Sequence, residues 1–141
     1  MKASITLALM CCFLFVFCGS ALAADLEPQS SEVIASCSTT LKQGSGNGNV
    51  VVRYSVTGKN KQSTRIGVLS VKIYKSNGTC VATVAGTTTN GLIAMNVNSH
   101  SGTYTYSGTS GVSYYAVVTF TAAAGGVTDS RTVTTNTITA P

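Results

Sequence analysis

Few residues in this chain could do acid–base or nucleophilic chemistry. The single histidine, His100, is flanked by Ser99 and Ser101, and Asp129 is the one carboxylate side chain after Glu32. A serine-histidine-acid triad needs its hydroxyl within hydrogen-bond reach of the imidazole, whereas neighbours on an extended chain point to opposite faces. No G-x-S-x-G elbow supplies another nucleophile. Paired-carboxylate hydrolysis needs a second positioned acid, and a zinc site needs three or four His, Cys or acidic ligands, so both lack raw material. The expectation is a non-enzymatic protein with no metal and no cofactor. Gly44, Gly46 and Gly48 could cradle a phosphate, but a strand pattern rather than a helix follows them, so they read as a turn.

Two further groups of residues carry possible chemistry. Of five cysteines, Cys11, Cys12 and Cys18 fall in the first 23 residues, leaving Cys37 and Cys80. Two cysteines in an oxidising compartment invite one disulfide, here closing a loop whose chain entropy is worth roughly 4 kcal/mol; two separate thiols are the alternative. The second group is a prospective binding face. Alternation places Ser70, Lys72 and Tyr74 on one side of a strand, and Tyr115 and Thr119 on one side of another. If these strands share a sheet, Lys72, Tyr74, Tyr115 and Thr119 form a flat surface of aromatic rings, hydroxyls and a cation. Such a surface can stack a sugar ring and meet an acidic group.

The elements that must position these residues follow from composition and pattern. Lys2, the apolar run Ile5 to Phe17 and Ala21-Leu22-Ala23 have the layout of an export signal cleaved between Ala23 and Ala24. The apolar run is too short to span a bilayer as a helix, and no second run follows, so no transmembrane anchor is expected. Residues 24–32 mix charge, Pro28 and serines without period and read as a flexible leader. The remainder, 33–141, is the folded domain. After Ala23 there are 20 Thr and 15 Val against 4 Leu and 2 Glu, which favours strands over helices.

Short alternating runs separated by Gly, Asn and Ser clusters predict seven to eight antiparallel strands. Val50, Val52, Tyr54 and Val56 form one apolar face, and Leu69, Val71 and Ile73 another. Asn77-Gly78 marks a hairpin turn, and Asn98 to Gly102 a second turn carrying His100. The strongest strand sets Val112, Tyr114, Ala116, Val118 and Phe120 against Ser113, Tyr115, Val117, Thr119 and Thr121. Asp129 and Arg131 share a face of the last strand, within reach of a surface ion pair. The fold class is all-β, a single immunoglobulin-like or fibronectin-III-like sandwich, with Tyr114 placed as the tyrosine corner of such folds.

Eight of the nine Lys and Arg residues lie after Ala23, and one of the four acids lies after Glu32, so the domain is strongly basic. A basic exported domain is drawn to anionic polymers such as wall teichoic acid or acidic glycans, unless the charge serves solubility alone. Nucleic acid is not expected, because no RNA-binding aromatic motif is present and the export signal directs the chain outside. The functional expectation is an extracellular or cell-envelope binding module, and the runner-up is a secreted toxin-like or bacteriocin-like effector.

GNGNVVVRYSVTG, IGVLSVKIYKSNG, HSGTYTYSGTSGVSYYAVVTF and DSRTVTTN occur in that order from Gly46 to Asn136. Together they resemble a family of small exported bacterial proteins, found mostly in Gram-positive anaerobes and known as a domain of unknown function. The most specific parts are Ile66-Gly67, Ile73-Tyr74, His100-Ser101-Gly102, Tyr106-Ser107-Gly108 and the Gly111 to Phe120 strand. The resemblance implies export and compact β-structure. It departs at SNGTCVATV, where relatives carry a longer, Trp-bearing segment.

Overall fold

A computed structural model describes residues 32–59 and 62–141. The expected export signal, the predicted Ala23–Ala24 cleavage position, Lys61 and all of the predicted leader except Glu32 lie outside the described residues. The described residues form nine strands: β1 (Ile34–Gln43), β2 (Asn49–Gly58), β3 (Ser63–Lys75), β4 (Cys80–Ala85), β5 (Ile93–Val97), β6 (Ser99–Ser107), β7 (Ser113–Ala124), β8 (Val127–Thr134) and β9 (Ile138–Thr139). All pairings are antiparallel.

The strands form two sheets, β1-β2-β6 and β4-β3-β7-β8, with β5 added on β3 and β9 on β7. β5 pairs with the first half of β3 and β4 with the second half, so the two share one lane. β9 likewise extends the lane of β8 along β7. Nine strands thus fill seven lanes, three against four, the division of a fibronectin-III-like sandwich.

Strict alternation builds the core. Val50, Val52, Tyr54 and Val56 of β2 are buried, as are Tyr114, Ala116, Val118 and Phe120 of β7, and with Val71 and Ile73 of β3 they form one cluster between the sheets. Leu69 departs from the expected face. A register shift between Val68 and Ser70 inserts Leu69 as an extra residue against β7, which turns Val68 inward and leaves Leu69 41% exposed.

The tyrosine corner is present. Tyr114 is buried, and its phenolic oxygen accepts the Thr109 N–H at 2.9 Å, five residues upstream. Its ring meets Tyr106 edge-on with centroids 5.6 Å apart. Gly108 permits this approach, since a Cβ there would lie 2.8 Å from the Tyr114 hydroxyl.

The edge of β1 is stitched to the other sheet by side chains that imitate a strand. Asn136 Oδ1 accepts the Leu41 N–H and Asn136 Nδ2 donates to the Leu41 carbonyl, both at 3.1 Å. Asp129 Oδ2 accepts the Val33 N–H. Asp129 and Arg131 do share a face of β8, but it is the face turned toward β1 rather than to solvent.

Candidate functional site

The predicted disulfide is not formed: Cys37 and Cys80 are separate thiols. Strand order is the reason. β1 lies over β7 and β8, whereas β4 occupies the far lane of the four-stranded sheet, so the cysteines stand at opposite edges in different sheets. Cys37 turns inward, where burial pushes its thiol pKa up against the opposing pull of Arg131, which also donates it a hydrogen bond. Cys80 is exposed, with its sulfur 3.5 Å from the Ala82 carbonyl and 3.6 Å from Thr83 Oγ1.

The expected turn at residues 98–102 is instead the start of β6, in which His100 pairs with Val56. Ser99 and Ser101 point to the outer face, and the half-buried His100 ring lies on the inner side, 5.7 Å from Tyr54 between centroids. His100 Nε2 donates to the Gly91 carbonyl at 2.8 Å, and the Tyr54 hydroxyl donates to the same oxygen at 3.1 Å. The ring therefore helps fasten the 86–92 connection between β4 and β5 beneath β6. Asp129, on β8 at the opposite edge, takes no part, so Ser99, His100, Ser101 and Asp129 do not assemble into a triad.

Lys72, Tyr74, Tyr115 and Thr119 do come together. The β3–β7 register sets Tyr74 opposite Tyr115, Lys72 opposite Val117 and Ser70 opposite Thr119, all on the outer face of the four-stranded sheet. The two phenol rings stack with centroids 5.2 Å apart and planes 8° from parallel. Lys72 is exposed and Tyr74, Tyr115 and Thr119 are half-buried. Thr119 Oγ1 lies 3.1 Å from Thr132 Oγ1, which extends the hydroxyl-bearing surface onto β8.

A rigid pair of rings on central strands offers a ring-sized apolar platform at little entropic cost, because neighbours already restrict both side chains. The lysine two residues along β3 stands roughly 7 Å from the platform by strand geometry. A saccharide or polyol unit on the rings would thus have its anionic substituent within reach of Lys72. Sequence alternation alone could not reveal the stacking, which depends on the 74–115 register and hence on the extra residue at Leu69.

Comparison with family models, curated proteins and solved structures finds no match to this chain. Among the described residues, no helix is long and apolar enough to cross a membrane.

Proposed function

We propose that the protein is a secreted, non-enzymatic binding module that recognises an anionic polymer or glycan of the cell envelope through the outer face of its four-stranded sheet. The observation that supports this most is the stacked Tyr74–Tyr115 pair beside Lys72, with Thr119 and Thr132 continuing the surface. Aromatic stacking gives the sugar or polyol its place, and Lys72 adds an attraction that salt weakens. The positive balance of the domain draws the polymer in from a distance. Export and envelope residence rest on the signal-like first 23 residues and on the resemblance to small exported bacterial proteins.

The test is co-sedimentation of the purified protein with isolated cell-wall sacculi across a salt series. Retention should fall as salt rises and should fall further for Lys72→Glu. Retention indifferent to both changes would remove Lys72 and this face from the account.

A further inference from the structure

The opposite outer face, on the three-stranded sheet, has a different chemistry. Register places Thr40, Arg53 and Thr103 in one row across β1, β2 and β6, and Ser38, Ser55 and Ser101 in the next. All six residues are exposed. Neighbours in this grid are ~4.8 Å apart across strands and roughly 7 Å apart along them. It carries one guanidinium, five hydroxyls and no carboxylate. Between Ser38, Thr40, Arg53 and Ser55 lies a shallow depression of about 130 Å³, also lined by Thr39 and Tyr54. The Tyr54 hydroxyl turns away from it to the Gly91 carbonyl, and the Thr39 hydroxyl donates to the Arg53 carbonyl at 3.0 Å.

A guanidinium presents a planar fork of donors that fits two oxygens of a phosphate or sulfate, and hydroxyls can donate to the rest. A carboxylate has no third oxygen for the surrounding hydroxyls. The depression is large enough to admit a tetrahedral oxyanion, and the hydroxyls on both sides of Arg53 could hold a polyol or sugar attached to it. We infer that Arg53, with Ser38, Thr40 and Ser55 around the depression and Ser101 and Thr103 beside it, forms a subsite for a phosphate or sulfate ester carried on a polyol or glycan. The site is separate from the tyrosine face and does not depend on it.

The test follows arginine side-chain Nε–H and backbone amide signals by NMR at low ionic strength. Glycerol 1-phosphate, inorganic sulfate, acetate and glycerol are added separately. Saturable shifts at Arg53 and at the Ser38, Thr40 and Ser55 amides are expected with the two tetrahedral anions and not with acetate or glycerol. Glycerol 1-phosphate binding more tightly than sulfate identifies a phosphorylated polyol as the source; the reverse order identifies a sulfated glycan. Arg53→Gln should weaken the interaction about tenfold or more, as expected for a lost charge-assisted pair. Lys72→Glu should leave it within about twofold, which separates this site from the tyrosine face. Equal shifts at Arg53 and at Arg65, an exposed arginine of β3, equal response to acetate, or unchanged binding in Arg53→Gln would each overturn the inference.

Discussion

Tyr114 and Tyr115 are neighbours in β7 and do opposite work. Tyr114 points into the core, its ring against Tyr106 and its hydroxyl closing the corner at Thr109. Tyr115 points out and stacks on Tyr74. The same side chain on the two faces of one strand is thus an architectural anchor on one side and, in the proposed function, part of a ligand platform on the other. Residue type alone does not mark a site: the face of the strand and the register of the neighbouring strand decide what a tyrosine does.

The sharpest way to break this contrast is to truncate each ring. Tyr114→Ala removes a fully buried aromatic and should cost about 3–5 kcal/mol in denaturant unfolding. Tyr115→Ala, on the half-exposed outer face, should cost under ~1.5 kcal/mol, the loss of one aromatic pair. Equal costs would erase the distinction. A finer cut is Tyr114→Phe, which keeps the packing but leaves the Thr109 N–H without its acceptor, at an expected cost of about 1–3 kcal/mol.

How much of this was legible depended on local rules. β7 was readable because its alternation runs unbroken from Ser113 to Thr121, and the corner followed from a tyrosine just beyond a glycine-bearing turn. Leu69 escapes the alternation because a period of two is reversed by the single residue inserted there. His100 and Gly102 looked like a turn because Ser, Gly and Asn favour turns in isolation. In the fold, the Tyr54 ring lies across Gly102, so close that a Cβ there would be 2.5 Å from its hydroxyl, and this glycine belongs to a strand. The disulfide failed for a longer-range reason. Neither cysteine's neighbours encode which lane its strand will occupy, and lane order decides whether two sulfurs can meet.

Titration sharpens the same contrast. Burial raises the Tyr54 pKa, and burial together with Tyr114 and Tyr104 raises that of Tyr106, from an ordinary value of 10.0. A raised value means that the folded state holds its proton where the unfolded chain releases it. This stabilisation is fully present below pH 10 and is lost as pH climbs through the folded-state values. The melting temperature should therefore fall as pH rises above about 10, and a flat profile there would contradict inward placement of these phenols. The smallest expected effect is a difference in thiol reactivity. Both cysteines should alkylate without prior reduction, Cys80 before Cys37, because Cys80 is exposed and burial raises the pKa of Cys37. Peptide mapping by mass spectrometry reads the order.

The most direct test of the central claim compares the native protein with a Tyr74→Ala/Tyr115→Ala variant that retains its strand-dominated circular dichroism. Each is sedimented at low salt with complete sacculi and with sacculi stripped of teichoic acid. The native protein is expected to pellet with the complete wall and stay in solution with the stripped one, while the folded variant is retained markedly less by the complete wall, keeping only what the Arg53 subsite holds. A variant that pellets as well as the native protein would contradict the claim.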